Sequence, residues 1–144
     1  MSRTKIEAFD SYEFVTEIPI RISDINYGGH LGNDSVLSIM HEARIRYLAN
    51  IGFSEKDIKG FGIIMVDSAI LYKSEGFYGD VLEVNLTAQN FDKDGFDFYY
   101  KIINTKTRKD VAIAKTGIVF YDYEAKKVVE APNIFIAKIA EIKM

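Results

Sequence analysis

The stretch that decides the fold is "SDINYGGHLGNDSVLSIMHEARIRYLANIGF", residues 23–53, in which a polar, glycine-rich loop precedes a helical pattern. Its apolar residues recur at helical spacing and occupy one broad arc of a helical wheel: Val36, Leu37, Ile39, Met40, Ala43, Tyr47, Leu48 and Ile51. The spacing predicts an α-helix over 33–53, with Asn33 or Asp34 as N-cap and Gly52 ending it. An arc this wide belongs to a buried helix, so a sheet should curl around it.

Strand patterns flank this helix on both sides. The segment 12–22 alternates in polarity before the loop, and Pro19 within it predicts an edge strand or a bulge. Four further strand patterns follow the helix, at 62–73, 80–91, 95–104 and 110–122. The short polar spacers between them favour antiparallel neighbours, because parallel pairs need long crossovers. The final segment, 133–144, is predicted to form a short helix, with a last strand as the alternative.

Composition restricts the function classes. A chain of 144 residues without a composition break predicts a single domain over 1–144. The net charge is -3 and the basic residues are scattered, which argues against nucleic acid as a partner. With no Cys and two His, a metal site is not expected. Neither a signal peptide nor an apolar membrane span is recognisable, so we expect a cytoplasmic protein.

Four stretches together resemble the hotdog-fold thioesterases of the 4-hydroxybenzoyl-CoA thioesterase type. They are "DINYGGHLGN", "HEARIRYL", "AILYKSEGFYGDVLEV" and "VAIAKTGIVFYDYEAKKVVEAP". The resemblance implies an α+β hotdog fold, in which a five-stranded antiparallel sheet wraps one long central helix. It also implies a homodimer or homotetramer with active sites between subunits. The implied activity is hydrolysis of an acyl-CoA or acyl-carrier thioester to the free acid, with the thioester as substrate and no cofactor.

The chemistry of such a site fits the loop. Thioester hydrolysis needs a polarised carbonyl, and a helix N-terminus supplies free N–H groups and a positive dipole end. Glycines allow the backbone to approach the acyl group, and the resemblance implies that the Asn33 N–H is the donor to the carbonyl. The residues predicted to bind substrate are Gly28, Gly29, His30, Gly32, Asn33, Asp34 and Ser68.

The chain departs from the family pattern at one catalytic position. The pattern Asp-x-Asp-x-x-Gly-His has its second acid where this chain has Asn26, and an amide cannot act as a carboxylate base or nucleophile. Asn26 can still hold water or substrate by hydrogen bonds. We expect Asp67 to supply the carboxylate, with Asp24 as second choice. Asp67 and Ser68 interrupt an apolar strand, which predicts a buried acid that a partner subunit could contribute. Arg44, within the apolar arc, is interpreted as one member of a structural ion pair.

Two other functions stay open. Hotdog hydratases carry an Asp-x-Asn-Pro-x-His motif that acts on enoyl thioesters, and "DINYGGH" supplies Asp24, Asn26 and His30 with one extra residue and no Pro. The third hypothesis is a hotdog protein that binds acyl-CoA or an acyl carrier without turning it over. Asn26 is the residue that supports this hypothesis.

Overall fold

The computed structural model describes residues 3–144, and its elements follow the predicted order. The elements are β1 (Phe14–Pro19), a 3₁₀ turn (Ile22–Asp24), α1 (Asn33–Asn50), β2 (Gly62–Tyr72), β3 (Val81–Gln89), β4 (Gly95–Asn104), β5 (Asp110–Asp122), β6 (Lys127–Val129) and α2 (Asn133–Ile142). The five long strands and both helices were therefore predicted correctly. The three-residue strand β6 and the 3₁₀ turn were not predicted. Residues 1 and 2, which the predicted domain includes, lie outside the described part.

The strands form one antiparallel sheet in the order β1-β3-β4-β5-β2, and β6 pairs with β5. Consecutive strands from β3 to β5 are antiparallel neighbours, as their short connections predict. The same prediction is wrong for β2 and β3, which a short spacer joins but which do not pair. The long strand β2 crosses over to pair with β5, so β1 and β2 form the two edges. Pro19 ends β1 and thus lies in an edge strand, as its missing N–H predicts.

The sheet buries α1 against its concave face. Alternate residues of β3, represented by Leu82, Val84 and Leu86, are fully buried, and they belong to the same apolar cluster as Met40 and Tyr47 of α1. Burying side chains of this size stabilises the fold by about 1.5–3 kcal/mol each. The buried residues of α1 lie on one face of the helix, and the opposite face is exposed, so the sheet covers α1 on one side.

One detail of the predicted arc is different in the structure, and the position of Arg44 within it is as expected. Leu37 was placed on the buried arc, but its side chain is 38% exposed. Arg44 is buried among the apolar residues, with 6% exposure, and is satisfied by polar partners described below. Leu37 therefore lies outside the buried face of α1, on a part of the helix surface that no strand within residues 3–144 covers.

The ends of α1 correct one prediction and confirm another. Gly32, not Asn33 or Asp34, is the N-cap, because its backbone is extended (φ -70°, ψ 145°) and its carbonyl accepts the N–H of Ser35. The helix stops at Asn50, and Gly52 follows in a left-handed conformation with φ 86°. Gly52 thus ends the helix as expected. No helix within residues 3–144 is long and apolar enough to cross a membrane.

The two edges of the sheet differ in protection. Along β1, the guanidinium of Arg46 donates to the carbonyl of Glu17 at 2.8 Å, and Pro19 removes a donor. Along β2, the side away from β5 has no strand partner within residues 3–144, and we call this side the open edge. Met65 and Val66 on β2 are 43% and 60% exposed. An edge that is long, apolar and unpaired is suited to pairing with another strand.

Candidate active site

The loop between β1 and α1 is a compact hairpin. Ile25 and Leu31 form an isolated antiparallel bridge, and the Asn26 N–H donates to the carbonyl of His30 at 2.9 Å. Gly29, at the turn, has φ 88°, a backbone conformation that residues with a side chain rarely adopt. A glycine at this position is therefore needed for the geometry of the loop.

Asn26 holds this loop together through its side chain. Its Oδ1 accepts the N–H of Gly28 at 3.0 Å and the N–H of His30 at 3.4 Å. These are bonds that an aspartate oxygen would accept equally well, so the loop keeps its shape with an amide at this position. In this structure the Asn26 side chain therefore orders the loop.

The start of α1 presents free backbone donors beside the loop. Gly32 donates its own N–H to the carbonyl of Asp24 at 3.0 Å. The next two N–H groups, on Asn33 and Asp34, make no hydrogen bond within the described chain. A Cβ at Gly32 would lie 2.6 Å from Oδ1 of Asp34, so glycine allows this close approach. The arrangement is suited to binding an oxyanion.

A cavity of about 250 Å³ opens next to these donors, and His30, Asn33, Tyr72 and Ser74 are among its lining residues. The Tyr72 hydroxyl donates to the carbonyl of Asn33 at 3.3 Å, so the end of β2 is tied to the start of α1. Nε2 of His30 lies 3.9 Å from Oε1 of Glu75. Two of the predicted binding residues, His30 and Asn33, therefore meet at one cavity.

Asp24 does not face this cavity. Its carboxylate is buried, accepts the backbone N–H of Arg21 at 2.8 Å and pairs with the Arg21 guanidinium at 3.4 Å. It lines a different cavity, together with Ser38 and Glu42 of α1. The carboxylate closes the 3₁₀ turn, which is a structural task, and the structure does not bring it to the Asn33 donor.

Asp67 is placed differently from its prediction, because its side chain is 60% exposed rather than buried. It pairs with Lys115 at 2.9 Å and accepts the N–H of Gly117 at 2.8 Å. The hydrogen bond from Lys115 lowers the pKa of Asp67, and the hydrogen bond from the Gly117 N–H lowers it as well. Lys115 also lies 3.4 Å from Asp97. The expectation of a buried acid is thus wrong: Asp67 interrupts an apolar strand because a lysine on the adjacent strand pairs with it.

The face of the sheet also separates Asp67 from the loop. On β5, Thr116 and Ile118 point towards the core, so Lys115 and Gly117 point to the opposite, outer face. Because Asp67 is hydrogen-bonded to Lys115 and Gly117, it also lies on that outer face. Ser68 is opposite Thr116 in the register and therefore lies on the helix side of β2. Within one chain, neither of them joins the His30 and Asn33 cavity.

One buried polar cluster was not predicted from the sequence. Arg44 was expected to form a structural pair, and it donates to Glu55 at 3.4 Å and to the Tyr100 hydroxyl at 3.2 Å. Tyr100 in turn bonds to Thr116 at 2.7 Å, and burial raises the pKa of Tyr100. Glu55 also bonds to His41, with Nε2 and Oε1 2.7 Å apart. The unusual arginine in the apolar arc was the signal, but its partners are distant in sequence.

Comparisons with known proteins show the family of the chain and its fold. The thioesterase-like superfamily matches residues 20–139, so the chain belongs to that family. A 1,4-dihydroxy-2-naphthoyl-CoA thioesterase from Synechocystis is 23% identical, with 91% of this chain and 98% of that chain covered and a TM-score of 0.83. A DHNA-CoA thioesterase from Staphylococcus aureus is 18% identical, with 90% and 89% covered and a TM-score of 0.80.

A third similar structure, from Staphylococcus aureus, was solved in complex with CoA. It is 16% identical, with 98% of this chain and 87% of that chain covered and a TM-score of 0.81. These likenesses confirm the α+β hotdog fold. A search of curated proteins finds no significant match. Within residues 3–144, no group of three His, Cys, Asp or Glu side chains is placed to hold a metal ion.

Proposed function

We propose that the protein is an acyl-CoA thioesterase that hydrolyses a thioester to the free acid and CoA. The observation that carries this is the pair of unbonded N–H groups at the start of α1, beside a cavity lined by His30 and Asn33. Membership of the thioesterase-like superfamily supports the reaction class. Two similar structures are named CoA thioesterases and a third contains CoA, which supports a CoA thioester as the substrate.

In this proposal the Asn33 N–H binds the thioester carbonyl oxygen. Negative charge develops on that oxygen as the carbonyl carbon is attacked, and a preorganised donor stabilises it. Gly28, Gly29 and Gly32 keep the backbone free of side chains where the acyl group approaches. His30 lines the cavity, and Asp34 follows the donor in the first turn. Asn26 is assigned the ordering of the loop rather than proton transfer.

We further propose a homodimer in which the two open edges pair in an antiparallel manner. β2 has 11 residues, about twice the mean length of a strand, and no strand within residues 3–144 pairs with it on the side away from β5. The exposed Met65 and Val66 would become buried by this contact. A two-fold pairing continues the sheet across both subunits. Further pairing of dimers into a tetramer is compatible with this arrangement, and Ser68 lies on β2 at the proposed contact.

The two other functions make different demands on the same residues. A hydratase would need Asp24 and His30 to face one substrate, but the Asp24 carboxylate is turned towards Arg21 and lines another cavity. A binding protein without turnover would need no base at all, and Asn26 is compatible with it.

The test is incubation of the purified protein with a panel of acyl-CoA, aryl-CoA and crotonyl-CoA thioesters. Release of free thiol in equal amount to free acid supports the thioesterase. Loss of the enoyl absorbance of crotonyl-CoA without thiol release would support the hydratase instead. Tight binding of CoA thioesters with neither change would support the binding protein.

A further inference from the structure

We propose that the base for this reaction is His41, oriented by Glu55, and that each active site takes this pair from the partner subunit. The inference rests on the proposed thioesterase function and names the group that replaces the carboxylate missing at Asn26. It follows from three features of the structure: the geometry of the pair, its place beside the open edge, and the effect of pairing two such edges.

The pair has the geometry of an oriented base. Nε2 of His41 lies 2.7 Å from Oε1 of Glu55. Because a carboxylate only accepts hydrogen bonds, Nε2 is the donor, and in the neutral ring Nδ1 then carries the lone pair. The other carboxylate oxygen of Glu55 accepts from the buried Arg44 at 3.4 Å. Arg44 is fixed in turn by the hydroxyl of Tyr100. A histidine held by a carboxylate that is itself anchored in the core is the arrangement that orients a general base.

The pair also lies beside the open edge. The Ile63 N–H donates to the carbonyl of Glu55 at 2.9 Å. Because this N–H is engaged by Glu55 and not by β5, it points away from β5, and Glu55 therefore lies on the open-edge side of β2. His41 follows Leu37 by one helical turn, and both side chains are exposed on α1. An exposed leucine beside a sheet edge that has no strand partner within residues 3–144 indicates a surface that a second copy of this chain covers.

Pairing of two open edges then brings the complementary halves together. Tyr72, at the end of β2, is bonded to Asn33, whereas Ile63, at the start of β2, is bonded to Glu55. In an antiparallel pair the end of one strand lies beside the start of the other. A two-fold axis normal to the sheet also keeps both helices on the same face. The Asn33 donor of one subunit therefore meets the partner subunit's His41 and Glu55, an approach that one chain alone does not make.

The reaction step balances with water as the only added reactant. Nδ1 of the partner subunit's His41 takes a proton from water while the water oxygen forms a bond to the carbonyl carbon. The carbonyl electron pair moves to its oxygen, which the Asn33 N–H stabilises. When the tetrahedral intermediate collapses, the C–S bond breaks and the imidazolium returns the proton to sulfur. The products are the carboxylic acid and the free thiol of CoA.

The test uses two variants that damage different halves of the site. His41→Gln keeps a donor for Glu55 but removes the base, and it should lower kcat by about 10²–10⁴-fold. Asn33→Pro removes the N–H donor at the first helical position, where proline is well tolerated. The preceding Gly32 already has ψ 145°, which a following proline favours. The homodimer of each variant should be nearly inactive, and its circular-dichroism spectrum should show that it is folded.

The heterodimer of these two variants is then isolated through two different affinity tags. It contains one fully intact site, made from the Asn33 of one subunit and the His41 of the other, so we expect about half the wild-type activity per dimer. If each site lay within one subunit, neither site of the heterodimer would be intact and activity would stay near zero. That result, an active His41→Gln variant, or a chain too monomeric to give a heterodimer would overturn the inference.

Two further measurements separate chemistry from structure. Glu55→Gln should lower kcat, whereas the matched control Glu42→Gln, on the same helix as His41 and paired only with Arg46, should leave it unchanged. Added imidazole should restore part of the activity of His41→Ala, which it would not do if His41 only supported the fold. If the wild-type protein releases no thiol from any thioester, the proposed function itself fails. If the wild type is active and these variants behave otherwise, the assignment of the base alone fails.

Discussion

Replacing Tyr100 by Phe removes a single oxygen from the cluster that anchors Glu55. The Tyr100 hydroxyl is fully buried and contacts Nη1 of Arg44 at 3.2 Å and Oγ1 of Thr116 at 2.7 Å. Phenylalanine fills the same space but leaves both partners without this bond in the core. An unsatisfied buried polar group costs about 1–3 kcal/mol. For a chain of this size, that cost corresponds to a fall in Tm of about 3–9 °C.

The assay is thermal unfolding by circular dichroism at one fixed protein concentration, because a dimer has a concentration-dependent Tm. Tyr123→Phe is the matched control, since Tyr123 is 59% exposed and should change the free energy of unfolding by less than about 0.5 kcal/mol. We also expect Tyr100→Phe to reduce kcat, because Arg44 then holds Glu55 less firmly. A Tyr100→Phe variant as stable as the control would refute the claim that the cluster is a tightly bonded unit.

Four other predictions concern the site and the interface. Asn33→Pro should lower kcat by about 10²–10³-fold with little change in KM, measured by thiol release. Asn26→Asp should preserve both loop hydrogen bonds and alter kcat, because it adds a carboxylate to the site; an unchanged kcat would place position 26 outside it. Val66→Pro, at the bulge where Val66 has no register partner, should give a monomer by light scattering and abolish turnover. Asp67→Asn should leave turnover within about twofold and cost below about 1 kcal/mol of stability at neutral pH. Because Lys115 lowers the pKa of Asp67, this stabilisation is lost as the pH falls through the folded-state pKa, so the Tm difference from wild type should vanish in acid.

The sequence predicts the fold well because its periodic signals are local. The helical spacing of Val36 to Ile51 and the alternation in β3 each depend on residues close together in the chain, and both are confirmed. The loop signal was also local: glycines with an asparagine before a helix place free N–H groups where the structure has them. These features need no knowledge of the tertiary contacts.

The remaining features depend on contacts between distant residues. Asp67 was expected to be buried because its partner Lys115 is 48 positions away on another strand. Likewise, nothing near His41 in the sequence indicates Glu55, which reaches it only after the helix has ended and the chain has turned. The exposure of Leu37 reflects a surface that the single chain does not cover. Such pairings follow from strand order and register, which periodicity does not specify.

The most direct test of the account is a single turnover of a CoA thioester in water enriched in the heavy oxygen isotope, with enzyme in excess over substrate. A base that activates water, as assigned to His41, predicts that the acid released in that first turnover carries one heavy oxygen atom, with thiol appearing in equal amount. An acid without the label would show that an enzyme carboxylate, such as Asp24 or Asp67, had attacked the carbonyl itself. That result would contradict the account.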